Sequence, residues 1–149
     1  MAHRPNGRAA LCAAACFAMS FAAGSAGAEP QRVHLDTEVT VGGVGVACTG
    51  IGQTKDEPRW LAYPVRLEFA DAKANYLAGE VVTLSQGKGA PIFEVSCEGP
   101  WLLLKLPAGR SYRVDATLTE YKAAQPRSAT VKAPSHGQAR FVLTFPDAD

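Results

Sequence analysis

Alternation of apolar and polar residues runs along most of the chain. Val33, Leu35, Thr37, Val39 and Val41 share one parity, against Arg32, His34, Asp36, Glu38 and Thr40 on the other. That is the pattern of a strand with one buried face. Tyr63, Val65, Leu67 and Phe69 repeat it against Pro64, Arg66, Glu68 and Ala70. Pro64 has no N–H to give to a ladder, so the start of that strand is expected at an edge or unpaired. Glu80 to Leu84 and Ile92 to Cys97 predict two more strands, joined by a turn over Ser85–Pro91. Trp101 to Leu106 follows the punctuation of Gly99-Pro100, with Trp101 expected in the core. Tyr112, Val114, Ala116 and Leu118 alternate again, Ser128 to Lys132 is a short strand, and Ala139, Phe141, Leu143 and Phe145 form a last one.

No stretch carries apolar residues at helical spacing for long enough to predict a full helix. One or two helical turns are expected over Asp56–Leu61, with Asp56 as cap and Pro58 in the first turn. Gly42-Gly43-Val44-Gly45 and Gly50-Ile51-Gly52 flank Cys48 and read as a flexible connection, leaving the first strand loosely attached. Short strands at spacings of roughly ten residues, with turn residues between them, predict an all-β fold: an antiparallel β-sandwich of about seven strands.

The start of the chain follows a different rule. His3, Arg4 and Arg8 precede an uncharged run from Ala9 to Ala23, and Ala26-Gly27-Ala28 follows. A basic start, an apolar centre and an A-x-A end make the tripartite export signal, with cleavage after Ala28. Left uncleaved, the same segment would be an N-terminal anchor, but its apolar run is short of the ~20 residues of a bilayer span. Cys12 and Cys16 lack the Leu three residues earlier that a lipoprotein signal carries. The organisation is therefore read as a signal peptide over 1–28, an N-terminal strand with its Gly-rich connection over 29–58, and the main sandwich over 59–146. The protein is expected to be periplasmic or secreted.

Composition changes its meaning once that segment is set aside. The full 149 residues carry 15 basic and 14 acidic side chains; without Arg4 and Arg8 the balance becomes 13 against 14. No surplus of base remains for nucleic acid, and no later apolar run is long enough to span a membrane. Of the 4 cysteines only Cys48 and Cys97 remain. An even pair in an exported chain points to a structural disulfide. The rival reading, a metal or redox site, lacks a CxxC and any neighbouring histidine.

The stretch Gly99-Pro100-Trp101-Leu102-Leu103-Leu104-Lys105-Leu106-Pro107-Ala108-Gly109-Arg110-Ser111-Tyr112-Arg113-Val114 resembles the strand, L-P-x-G turn, strand unit of carboxypeptidase regulatory-like domains. Val65–Ala70 and Asn75–Val81 are similar to small exported proteobacterial proteins of that group. The resemblance covers about Trp60 to Phe145 and implies a transthyretin-like (prealbumin-like) sandwich. Here Arg110 and Ser111 both precede Tyr112, which implies a bulge or a longer hairpin. Gly109 is expected to take positive φ. The pair Cys48 and Cys97 lies outside the motif.

Candidate chemistry is sparse. His34 lies on the polar face of the first strand and His136 lies in a turn beside Ser135. No GxSxG or HExxH occurs, and no GK[ST] follows the Gly-rich segments. The terminus Phe145-Pro146-Asp147-Ala148-Asp149 lacks the Tyr-Arg-Gly-Ser of the transthyretin-like hydroxyisourate hydrolases. Trp60 and Tyr121 fit no strand face, so with His34 and His136 they are the candidates for a surface binding site. The expectation is a non-catalytic exported sandwich, without cofactor, that binds a partner protein or envelope component. Strand addition at an edge, on the strand containing Pro64 or on Ser128–Lys132, is the expected mode. The alternatives are a small-ligand or metal-binding module joining His34 to His136, and an unrecognised hydrolase using Ser135, His136 and an acid.

Overall fold

The computed structural model describes residues 29–148. The expected export signal over 1–28, with Cys12 and Cys16, lies outside the described residues. Ten strands form two five-stranded sheets. They are β1 (Gln31–Val33), β2 (Thr37–Val41), β3 (Val44–Thr49), β4 (Val65–Asp71), β5 (Glu80–Ser85), β6 (Phe93–Cys97), β7 (Trp101–Lys105), β8 (Ser111–Leu118), β9 (Arg127–Lys132) and β10 (Ala139–Phe145). Sheet A has the order β1-β6-β5-β8-β9 and sheet B the order β10-β4-β7-β3-β2.

The count exceeds the expected figure of about seven, and the eight segments read individually become ten strands, for two reasons. First, the long N-terminal alternation breaks at Asp36, which takes a left-handed φ of 57°. The chain there passes from β1 in sheet A to β2 in sheet B. Second, the Gly-rich segment is a strand and not a loose connection. Val44, Val46 and Cys48 face the core while Gly45 lies against Lys105 of β7, where an added Cβ would stand 2.9 Å from the lysine Cδ. Glycine is placed there by close packing.

The sandwich is also mixed rather than wholly antiparallel. β1 runs parallel to β6 and β10 runs parallel to β4. Both are edge strands, and each is joined to its neighbour in sequence (β1 to β2, β9 to β10) by a crossing between the sheets and not by a hairpin, which leaves either direction open. β4 consequently lies inside sheet B, between β10 and β7, and the expectation that the Pro64 strand is an edge fails. Pro64 itself precedes β4 and uses its carbonyl to accept from Ala139 N–H at 2.8 Å. Ser128–Lys132 falls within β9 and is an edge.

The Leu106-Pro107-Ala108-Gly109 segment is not a hairpin turn. β7 belongs to sheet B and β8 to sheet A, so no ladder joins them and no bulge is needed. Leu106 stays in the core, Pro107 ends the strand, and Gly109 has φ of 79° while donating to the Ala133 carbonyl at 3.0 Å. The β5–β6 hairpin forms as expected over Ser85–Pro91.

Between the sheets lies a continuous core built from the inward parity of each strand, including Val33, Leu67, Phe69, Leu84, Leu102, Leu104, Val114 and Phe145. Cys48 of β3 and Cys97 of β6 are bonded across it, with Cα atoms 5.6 Å apart. Glu80 also faces inward at the start of β5, opposite Cys97 in the register, and is fully buried. Among the described residues no other residue's side chain or backbone offers its carboxyl oxygens a hydrogen bond. Burial therefore pushes the Glu80 carboxyl well above the usual carboxylate range.

Candidate functional site

The two outer faces differ in chemistry. Outward positions of sheet A are almost all hydroxyl or charged: Thr83, Glu94, Arg113, Asp115, Thr117 and Thr130. Sheet B is buried on both sides over much of its area. β7 reads Trp101-Leu102-Leu103-Leu104 without a polar break, and all four are buried. Leu102 and Leu104 enter the main core, while Leu103 joins Ala47, Trp60 and Tyr63 in a separate cluster on the outer side.

That second cluster is covered by the segment between β3 and β4. Two 3-10 turns, Thr54–Asp56 and Pro58–Ala62, replace the expected helical turns, with Pro58 at the start of the second. Asp56 caps neither; it pairs with the Lys55 ammonium at 2.6 Å. The cover is fastened at three points. The Trp60 indole N–H donates to the Thr54 carbonyl at 2.6 Å. Gln138 Nε2, just before β10, donates to the carbonyls of Trp60 and Tyr63 at 2.9 Å each. The Tyr63 hydroxyl donates to Glu38 at 2.7 Å; burial, reinforced by that carboxylate, raises the phenol's pKa.

Beside this cover, charged groups gather on β4 and β10. Glu68 is fully buried on the outer face and accepts from Arg140 Nε and Nη2 at 2.6 Å and from the Tyr76 hydroxyl at 2.9 Å. Arg66 Nε lies 2.8 Å from Glu68 Oε1, but its N–H is not aimed at that oxygen, so this pair is joined by charge alone. Burial by itself would raise the Glu68 carboxyl. The bonds from Arg140 and Tyr76 and the charge of Arg66 outweigh it and hold the group below its ordinary value. Trp101 is buried under these side chains and not in the core as expected. The Arg66 guanidinium lies 4.4 Å from its ring centre, and Tyr76 meets it edge-on at 5.9 Å. Its indole N–H is buried and has no acceptor among the described residues.

A cleft of about 220 Å³ opens between the cover and this cluster, lined by Lys55, Asp56, Glu57, Trp60, Leu61, Arg66, Trp101, Leu103 and Gln138. The large apolar side chains exposed among the described residues are Ile51, Leu61, Tyr76 and Val142. Ile51 and Leu61 belong to the covering segment, Tyr76 meets Trp101 edge-on, and Val142 stands beside Glu68 in the β10–β4 register.

The residues singled out from sequence fall elsewhere or play other parts. Trp60 is 4% exposed and serves as the centre of the covering cluster; only its edge borders the cleft. Tyr121 is half-buried after β8 and packs against the main core, so the two aromatics do not make an exposed pair. His34, between β1 and β2, has Nδ1 3.0 Å from Glu98. His136 is exposed in the β9–β10 connection, and neither it nor Ser135 makes a side-chain hydrogen bond among the described residues. Among the described residues no hydrogen bond or ion pair joins His34 to His136. Among the described residues no group of three or more His, Cys, Asp or Glu could hold a metal ion, and no helix is long and apolar enough to cross a membrane. What sequence reading missed is the Arg66, Glu68, Trp101 and Arg140 cluster. Its one visible trace is the unbroken apolar run of β7, which marks a strand covered on both faces.

No family model matches the chain, and no curated protein matches it. Among solved structures, one match is to the C-terminal domain of the Caf1A usher, described as having conserved surface hydrophobic clusters important for F1 antigen assembly. The identity is 18%, the match covers 57% of this chain and 98% of that chain, and the TM-score is 0.35. A superposition that loose carries no argument about role.

Proposed function

We propose that this chain is a non-catalytic, exported β-sandwich protein that binds a partner protein or envelope component through the outer face of sheet B. The observation that carries the reading is the contrast between the two outer faces. One is almost wholly polar, with Val81 its apolar exception on β5; the other presents Leu61, Tyr76 and Val142 beside the paired charges of Arg66, Glu68 and Arg140. An apolar patch with a charged rim, on one face only, is the make-up of a protein-binding surface. Export is supported by the N-terminal signal pattern and by the Cys48–Cys97 bond, which persists in oxidising compartments. The reading extends to a transthyretin-like, carboxypeptidase regulatory-like relationship, supported by the Leu-Pro-Ala-Gly turn with Gly109 at positive φ.

Site-specific photo-crosslinking tests the face directly. A photoreactive residue is placed at Leu61 or Val142, and in parallel at Thr83 or Thr117 on sheet A, in cells exporting the protein. The expected result is a discrete adduct from the sheet B positions only. Adducts from sheet A alone, or equally from both faces, would overturn the assignment.

A further inference from the structure

We propose that the cleft between the two tryptophans binds a carboxylate carried on an apolar body, which deepens and rests on the reading of sheet B's outer face as the binding face. Size sets the first limit. About 220 Å³ is smaller than the ~300–1,000 Å³ of sites for cofactors and drug-sized ligands, so the occupant is a small acid or a single chain end. The walls set the second. Trp60, Leu61, Trp101 and Leu103 supply apolar surface, and an apolar body loses water favourably against them.

Charge sets the sign. Asp56 is held by Lys55 and Glu57 by Arg59, so the two carboxylates at the rim are already matched. Glu68, by contrast, faces both Arg66 and Arg140. The cluster therefore has one more cation than carboxylate, and a monoanion balances it where a dianion would overshoot. Lys55 and Arg66 both lie over the ring of Trp101, at 6.0 and 4.4 Å, which concentrates positive charge at one wall.

Hydrogen bonding sets the chemical class. Trp101 Nε1–H is buried and has no acceptor among the described residues, and Arg66, which lines the cleft beside it, has its Nε 2.8 Å from Glu68 Oε1 without an aligned hydrogen bond. Buried donors without acceptors are costly and uncommon, so an acceptor is the missing component. A carboxylate offers only acceptors and is planar, as a guanidinium requires. The carboxylate can arrive on a free small acid or at the C-terminus of a partner chain; the site recognises the shared group.

The chain has 2 tryptophans, and both line this cleft. Tryptophan fluorescence, excited where tyrosine does not absorb, and the two indole N–H resonances therefore report on it. The full mature chain is titrated with N-acetylleucine and N-acetylleucinamide, and with the peptide Gly-Gly-Leu carrying a free or an amidated C-terminus. The expected result is a saturable shift of the Trp101 indole with the carboxylates and none with the amides. Tighter binding of the free-ended peptide identifies a chain end as the source, and tighter binding of N-acetylleucine a free acid. Arg66→Lys or Lys55→Gln weakens binding about tenfold or more. Lys55 is at the surface, so Lys55→Gln carries the test should Arg66→Lys fail to fold. Absence of a saturable shift, or equal binding of acids and amides, overturns the proposal. If sheet B crosslinks persist in that case, the binding face stands and only its ligand chemistry falls; saturation without such crosslinks removes the partner reading instead.

Discussion

Cys48 on β3 is bonded to Cys97 on β6, so a covalent link passes through the core and ties sheet B to sheet A. Its 49-residue separation makes it a long loop closure. In the chain-entropy account that restricts the unfolded chain by ~4 kcal/mol. The double variant Cys48→Ala, Cys97→Ala should lose about that much stability, as should the reduced wild type. Urea unfolding under oxidising and reducing conditions checks it: the wild-type midpoint should drop on reduction and the variant's should not move.

Glu80 predicts an unusual pH dependence. Its folded-state pKa lies above the unfolded value, so its contribution is fully present below about pH 4.5 and is lost as pH rises toward the folded value. Glu68, Asp71, Glu98 and Asp115 are shifted the other way and lose their contribution as pH falls through and below the normal carboxylate range. Replacing Glu80 with Met should remove the alkaline-side loss and stabilise the protein at pH 7 by ~1–3 kcal/mol, leaving the acid-side loss in place. Urea midpoints measured from pH 3 to 9 separate the two limbs.

Arg140 is half-exposed, but the carboxylate it serves is not. Removing it by Arg140→Ala leaves Glu68 buried with one charge partner and the Tyr76 hydroxyl. The expected cost is ~1–3 kcal/mol, below that of a fully buried pair because water reaches the vacated side. Arg140→Ala combined with Glu68→Gln should recover part of the loss. A double-mutant cycle followed by thermal unfolding measures the coupling.

Two glycines should respond in opposite ways to alanine. At Gly99 a Cβ would stand 2.3 Å from the Thr49 carbonyl oxygen and 2.7 Å from Leu35, in a place where backbone must move. At Gly109 nothing lies within 4 Å, and only the left-handed φ of 79° resists. Gly109→Ala should cost ~1–2 kcal/mol and Gly99→Ala clearly more, accompanied by shifted NMR signals at Thr49 and Leu35.

The parts of the fold that sequence reading recovered are those where one face is wet. β8 and β10 alternate cleanly because their outer residues meet water, and the β5–β6 turn was visible in its Gly and Pro content. β3 was hidden because Gly45 and its neighbouring glycines look like loop punctuation, whereas Lys105 packing across Gly45 is a long-range fact. Sheet crossings left no local mark either: Leu106–Gly109 reads the same whether it turns back on β7 or carries the chain to the other sheet. The site was hidden for a related reason. Glu68 and Arg140 are 72 residues apart, and in sequence each is an ordinary polar residue on an alternating strand. Only the parallel placement of β10 beside β4 makes them a pair.

That placement also bears on the order in which the molecule can be assembled. β4, near the middle of the chain, has β7 on one side and β10 on the other, and β10 closes at residue 145. β3 is likewise joined to the rest of its sheet only through β7, which follows Cys97 in sequence. A chain emerging from its N-terminus therefore cannot complete sheet B until nearly all of it is available, and cannot hold Cys48 in position opposite Cys97 until β7, ending at Lys105, has joined β3. Such distant pairings make for slow folding, on the scale of milliseconds to seconds. During that interval the apolar run of β7 is uncovered, and a companion that shields it would have its greatest effect then.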